Sequence, residues 1–393
     1  MGGPSLQVGD KLLLERQDLQ QLFDGLSKNG YRVLGPTVRD GAIVYDELGS
    51  VADLPAGWTD EQNGGSYRLK NRGDDALFGY AAGPHSWKKF LLEPQLRLWQ
   101  AKSTGNGFEV LEQSAEMHLS AMIGVRSCDL HAIAIQDRIF VAGEYVDPSY
   151  KLRRENVFIV AVNCGHAGGT CFCASMKTGP KATFGFDLAL TEVLDVNQHY
   201  FLVEVGTELG AQMLRDVSHR EAHDEEKEAA EGVVAKCSRQ MGRVMDTTGI
   251  KELLYRNYDN PRWDDAAGRC LTCGNCTMVC PTCFCTTVED FTDLSGKQAK
   301  RRRRMDVCFT MDFSYIHGGS IRSSARSRYR QWMTHKLATW IDQFGVSGCV
   351  GCGRCITWCP VAIDITEEAR IIRESESSHP TIISEGRNDN ADA

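Results

Sequence analysis

Sixteen cysteines stand among the 393 residues of this chain, and eight of them form two runs of one spacing. The first is Cys270-x2-Cys273-x2-Cys276-x3-Cys280-Pro281 and the second Cys349-x2-Cys352-x2-Cys355-x3-Cys359-Pro360. This is the bacterial ferredoxin pattern for [4Fe–4S] clusters. Three closely spaced thiolates can wrap one cluster corner by corner. Gly274, Gly351 and Gly353 let the backbone turn tightly and aim amides at the sulfides. The proline then turns the chain away. In two-cluster ferredoxins the fourth cysteine of each run ligates the other cluster. Cys270, Cys273, Cys276 and Cys359 are therefore assigned to cluster one, and Cys349, Cys352, Cys355 and Cys280 to cluster two. Zinc sites or free buried thiols account poorly for two complete runs. The chemistry is one-electron transfer, with burial and hydrogen bonds around the sulfurs setting each potential.

A second constellation lies upstream. SAMIGV (120–125) and NVFIVAVN (156–163) read as short apolar strands, each followed by cysteine: Cys128 after the first, and Cys164, Cys171 and Cys173 after the second. As neighbouring parallel strands they place these thiols at their carboxyl ends, where open α/β sheets hold their sites. The GHAGG loop (165–169) can fold Cys171 and Cys173 back, so Cys128, Cys164, Cys171 and Cys173 are expected to hold a third [4Fe–4S] cluster. Zinc and inert core thiols are the alternatives. His166 lies in the same loop, as a ligand or as a solvated side chain.

These residues need elements to hold them. The pattern predicts an α/β domain over 1–206, a solvated helical connector over 207–262, a ferredoxin-like dicluster α+β domain over 263–373 and a flexible tail over 374–393. Residues 11–30 read as a helix, GYRVLGPTV (30–38) and GAIVYDEL (41–48) as strands joined by a turn at Arg39–Gly41, and 50–75 as a loop. Residues 77–94 form a docking edge or core. The 68-residue insertion between the runs (281–348) holds Cys283, Cys285 and Cys308, which either lie near a cluster or serve as small buried hydrophobes. It also holds Lys300, Arg301–Arg304, Arg322, Arg326, Arg328 and Arg330. That basic stretch tunes clusters or docks an acidic partner, forms a solvated face, or binds nucleic acid.

Composition narrows the function. A net charge of −8 argues against nucleic acid as a partner of the whole chain. No apolar run approaches a membrane span, and the first residues lack a secretory pattern, so a reducing, cytoplasmic setting is expected. Neither G-x-G-x-x-G nor Walker A, G-x-S-x-G or H-E-x-x-H occurs in a fitting context. No catalytic centre is evident, and a flavin is not expected on this chain.

GVRSCDLHAIAIQDRIF, VNCGHAGGTCFCASMKTGP, CPTCFC, FSYIHGGSIRSSARSRYRQWMTHKLATW and SGCVGCGRCITWCPVAIDITEE together carry a resemblance. From about Leu77 to Glu368 the chain resembles the beta (iron–sulfur) subunit of cytoplasmic NAD(P)-linked [NiFe]-hydrogenases of the sulfhydrogenase type. The related electron-input subunit of anaerobic sulfite reductase shares the plan. The resemblance implies an electron-transfer role in a complex. Its other members are a nickel–iron large subunit, an iron–sulfur small subunit, and the flavin-bearing gamma subunit that handles NAD(P). Two rivals stand beside this. One is electron input to a sulfite reductase. The other is a flavin- or deazaflavin-binding oxidoreductase subunit, as in the distantly similar coenzyme F420 hydrogenase beta subunits.

Overall fold

The computed structural model describes residues 6–111, 118–196 and 198–378. Eight strands organise the N-terminal half: Lys11–Glu15 (β1), Arg32–Arg39 (β2), Ala42–Glu47 (β3), Ser120–Val125 (β8), Val157–Val162 (β9), Leu188–Leu194 (β10), His199–Val205 (β11) and Arg220–Glu221 (β12). They form one mixed sheet in the order β12-β1-β11-β10-β9-β8-β2-β3. Between β3 and β8 run Trp58–Asn63 (β4), Ser66–Asn71 (β5), Gln95–Ser103 (β6) and Phe108–Leu111 (β7). As expected, β8 and β9 are adjacent and parallel, with Ala121 opposite Phe158 and Met122 opposite Ile159. Both are buried on two faces, which is why they read as unbroken apolar runs.

Two local expectations change. The predicted helix over 11–30 begins only at Leu19: Leu19–Lys28 is α1, while Lys11–Glu15 pairs with both β11 and β12. Leu12, Leu13 and Leu14 are all buried, a pattern for a two-faced strand rather than one helical stripe. The predicted loop over 50–75 contains the β4–β5 hairpin, turned at Gly64–Gly65, with Asn63 opposite Ser66. An Asn-Gly-Gly turn is a hairpin signal in its own right. Residues 77–94 are core: Trp87, Leu91 and Leu92 are buried, Trp87 stacks on Tyr45, and the short helix Lys88–Leu91 (α2) lies here.

The remaining helices are Ser127–Phe140 (α3), Pro148–Glu155 (α4), Glu208–Leu214 (α5), Asp224–Arg239 (α6), Ile250–Arg256 (α7), Arg262–Arg269 (α8), Asn275–Met278 (α9), Ala325–Thr334 (α10), Trp340–Phe344 (α11), Arg354–Thr357 (α12) and Ile365–Ser378 (α13). A π-helical turn, His335–Thr339, joins α10 to α11. The expected connector is divided between two cores. α5 and β12 belong to the sheet, with Ala211 and Leu214 in its core. α7 buries Ile250, Leu253 and Leu254 beside Trp263 and Trp332 of the C-terminal core. Glu374 and Glu376 stand in α13, where the sequence suggests that a flexible tail begins, and Glu376 holds Arg256 at 2.9 Å. Residues 379–393 lie outside the described residues.

Part of the insertion joins a sheet with N-terminal strands. Its strands Thr286–Thr292 (β13) and Gln298–Met305 (β14) join β6 and β7 in a sheet ordered β13-β14-β6-β7. The basic run sits on β14 and is neutralised locally. Arg301 pairs with Asp290, Arg303 with Asp147 and Arg304 with Glu289, while Arg302 stacks on Phe291.

A buried ion pair ties the halves together. Arg354 of α12 donates to both carboxylate oxygens of Asp129 in α3, at 2.9 and 3.0 Å, with each side chain 1% exposed. Breaking such a pair leaves one charge stranded in the interior. Asp129→Ala is expected to cost about 3–5 kcal/mol in chemical denaturation. The double variant Asp129→Leu, Arg354→Leu, which removes both charges, should recover much of that loss.

Candidate iron–sulfur centres

The second cysteine run is built against the N-terminal half at van der Waals distance. The Phe172 amide donates to the Gly351 carbonyl at 2.8 Å, and the Thr178 hydroxyl to the Val350 carbonyl at 2.6 Å. Gly351 has φ of +65°, and a Cβ there would sit 2.7 Å from the Cys173 backbone. Gly353 has φ of +74°, and its Cβ would lie 2.3 Å from the Thr170 carbonyl oxygen. These two glycines therefore answer a double demand, left-handed backbone and close approach of another chain segment. Gln136 reaches the Pro281 carbonyl at 2.9 Å from the other side.

Thiols of each ferredoxin-type run lie within electrostatic reach of the last thiol of the other run. Burial raises the Cys276 thiol, and the neighbouring Cys270, Cys359 and Cys273 thiols raise it further. One cavity is lined by Cys270, Cys273, Cys276 and Cys359, and also by Cys355 of the second run, with Phe309 and Tyr329 among its walls. In the second run, Cys349 is pushed up to about 12 by burial, with Cys352 and Cys280 adding to it. Cys355 is raised by burial and by Cys349, Cys352 and Cys280. Cys276 also acts on Cys355, so the two runs are neighbours. Except for Cys280, the thiols whose ionisation is perturbed in these two runs are held protonated by burial. The cationic core of an iron–sulfur cluster would offset the cost of ionising them, and an isolated thiolate has no such compensation. Among the described residues no three His, Cys, Asp or Glu side chains converge on a point as one metal ion requires. Thiolates about 2.3 Å from a zinc would crowd together, whereas a four-iron cluster keeps its thiolates apart.

Of the upstream thiols, Cys164, Cys171 and Cys173 come together. Burial raises Cys173, and Cys171 and Cys164 raise it again. Cys128, at the start of α3, packs with Cys352, Trp340 and Val350 on the side of the second run, with Cys173 also within electrostatic reach. His166 lies beside Asp60, and its ring is kept neutral by burial. Cys237, on α6 and fully buried, is raised by burial and by Cys164 and Cys171. Sequence reading leaves it in a solvated connector, because its helix is charged on most faces. Its spacing of four from Val233 is the available signal. Cys171 abuts the second run, its sulfur 3.9 Å from the Cys352 carbonyl oxygen.

Two buried lysines surround Cys280, and no local sequence feature marks either. Lys336 stands on the π-helical turn, 3% exposed, with Nζ 3.1 Å from the Cys280 sulfur and 3.2 Å from the Thr282 hydroxyl. Such turns recur at functional sites. Lys88 donates to the Cys280 and Cys283 carbonyls at 2.9 and 3.0 Å. Contact with the Cys283 thiol, then Lys336, holds Cys280 well below the usual thiol range against the opposing effect of burial. Cys285 and Cys308 are hydrogen-bonded neighbours, and Cys308 together with the lysines lowers Cys285 to about 7. Of the insertion's arginines, Arg328 is buried and acts on Cys270. Arg326 and Arg330 instead approach Asp259.

Residues 269–363 match the family described as 4Fe-4S dicluster domain. Over 365 residues, 92% of this chain and 98% of the relative, the sequence is 28% identical to the sulfhydrogenase 2 subunit beta of Pyrococcus furiosus. No solved structure matches. The C-terminal segment is thus a 4Fe–4S dicluster domain beside a mixed α/β half, and the resemblance read from the motifs extends along nearly the whole chain.

A lysine charge beside a cluster stabilises its reduced, more negative state. Lys336→Met should therefore lower the midpoint potential of one cluster by the order of 100 mV, taking an effective dielectric near 20 and a separation of several ångström. A potentiometric titration followed by electron paramagnetic resonance reads that shift. An unchanged pair of potentials would remove Lys336 from the electrostatics of the site.

Proposed function

We propose that this chain is the iron–sulfur electron-transfer subunit of a cytoplasmic, NAD(P)-linked hydrogenase complex of the sulfhydrogenase type. Cys270, Cys273, Cys276 and Cys359 would hold one [4Fe–4S] cluster, and Cys349, Cys352, Cys355 and Cys280 the other. A third cluster among the upstream thiols would extend the relay into the α/β half. The clusters, when bound, supply one-electron redox chemistry. The protein holds them at fixed spacing, excludes water and sets their charge environment.

The observation that carries this reading is the continuity of the thiol groups. Cys276 of the first set acts on Cys355 of the second, and Cys352 of the second acts on Cys171 and Cys173. A line of sites through the molecule suits transfer between two partners better than storage at one place. Its entry on the C-terminal side would lie at Cys273, which is exposed, beside Leu271 and Met278, 61% and 49% exposed. Apolar side chains at such a rim favour protein contact. The relative's name places it in a sulfhydrogenase. The partners that the resemblance implies are the nickel–iron large subunit, the iron–sulfur small subunit, and the flavin-bearing gamma subunit. No helix among the described residues is long and apolar enough to cross a membrane.

Anaerobic affinity purification of the chain from its own host tests this assignment. The expected complex contains nickel and flavin, and hydrogen gas reduces its iron–sulfur absorption. A complex without nickel, whose iron–sulfur centres do not respond to hydrogen, would contradict it.

A further inference from the structure

Helix α6 lies across the Cys164–Cys173 loop rather than in solvent. A Cβ placed on Gly165 would come within 3.1 Å of Val233 on α6. Met241, just past the end of the helix, has its sulfur 3.9 Å from the Cys173 sulfur. Val233 and Cys237 are spaced by four along α6 and share a face, and Cys237 stands in sequence between the two residues, Val233 and Met241, that approach the loop. The chain beyond α6 stays on that loop: the Arg243 amide donates to the Cys171 carbonyl at 3.0 Å, and its guanidinium to the Gly169 carbonyl at 2.8 Å. Cys237 is 0% exposed.

We infer that Cys237 is the fourth thiolate ligand of a third four-iron cluster, completing a set with Cys164, Cys171 and Cys173. The inference rests on the iron–sulfur reading above and differs from the sequence expectation in its fourth member. The ferredoxin-type set supplies an internal standard. Within Cys349, Cys352, Cys355 and Cys280, every pair of thiols lies within electrostatic reach of each other. The same holds for every pair within Cys164, Cys171, Cys173 and Cys237. Cys128 instead packs in the cluster of side chains that contains Cys352 and Trp340.

A second observation points to an anion at this place. Arg126, which caps the start of α3, is 3% exposed. Its Nη2 donates to the Phe78 and Tyr80 carbonyls at 3.0 and 3.1 Å, while its Nη1 is buried without a hydrogen-bond partner. Burial opposes its charge, and the Cys164 thiol, the two tyrosines Tyr80 and Tyr45, and the Cys237 thiol favour it. A guanidinium cannot shed its proton to escape burial, so it needs a compensating negative charge. A thiolate-ligated cluster between Cys164 and Cys237 would supply one.

Iron and acid-labile sulfide per chain, with zinc measured in parallel, test the assignment on the anaerobically prepared full-length protein. Wild type should carry about 12 irons, Cys237→Ser about 8, and Cys128→Ser about 12. Retention of about 12 in Cys237→Ser with loss to about 8 in Cys128→Ser would overturn the inference while leaving a third cluster in place. About 8 in wild type and both variants would overturn the third cluster itself, and one zinc lost with Cys237 would replace it by a different metal. If Cys237→Ser sheds all its iron, Cys237→Asp decides. A cluster with one carboxylate ligand should keep about 12 irons and show altered paramagnetic resonance for a single centre. A spectrum identical to wild type would overturn the inference.

Discussion

The structure depends on a contact too close for any side chain. The backbone of Gly351 and Gly353 lies against that of Thr170 to Cys173, so the loop that presents one set of thiols is also the floor on which another is presented. Fixing the distance between redox centres requires this kind of contact. Electrons pass between neighbouring sites only where the protein holds them close, and two domains meeting through flexible side chains would not hold that spacing. The Asp129–Arg354 pair and the Thr170–Thr357 hydroxyl contact at 2.7 Å lock the same seam with directional bonds. The α/β half and the dicluster domain therefore meet as one packed unit, although they read in sequence as two.

Charge is the second organising constraint. Lys88, Lys336, Arg126 and Arg354 are among the cations buried around the thiols. Arg354 has a carboxylate partner; the other three face carbonyls, hydroxyls and sulfurs. Buried cations without a carboxylate partner, such as Arg126 and Lys88, are costly while most of the thiols around them stay protonated. The arrangement becomes favourable when anionic thiolate-ligated clusters occupy the space, so cofactor loading and folding are coupled through electrostatics. The exposed basic strand β14 contributes little to this, because its arginines are satisfied by neighbouring acids and an aromatic ring.

Sequence reading reaches furthest where chemistry imposes a spacing or burial imposes a run. The 4Fe–4S dicluster domain is announced by the spacing of the two cysteine runs, and β8 beside β9 follows from two short apolar stretches each ending near cysteine. It fails where the deciding contact is long-range. β1 matches a helical period because its leucines are buried on both faces. α6 looks solvated because only Ala230, Val234 and Cys237 are buried on it. The insertion's place in a sheet is not legible locally because β14 pairs not only with β13 beside it but also with β6, which lies far away along the chain. Lys336 is invisible because a π-helical turn, which no local pattern announces, aims it inward.

A relay requires redox centres that stand close enough, one after another through the molecule, to exchange electrons. Electron paramagnetic resonance of the frozen, fully reduced protein measures that proximity directly. Partial reduction should give simple signals from single reduced clusters, and full reduction should broaden and split them as neighbouring spins couple. Signals that merely add on full reduction, or no paramagnetic cluster at all, would contradict a relay through this chain.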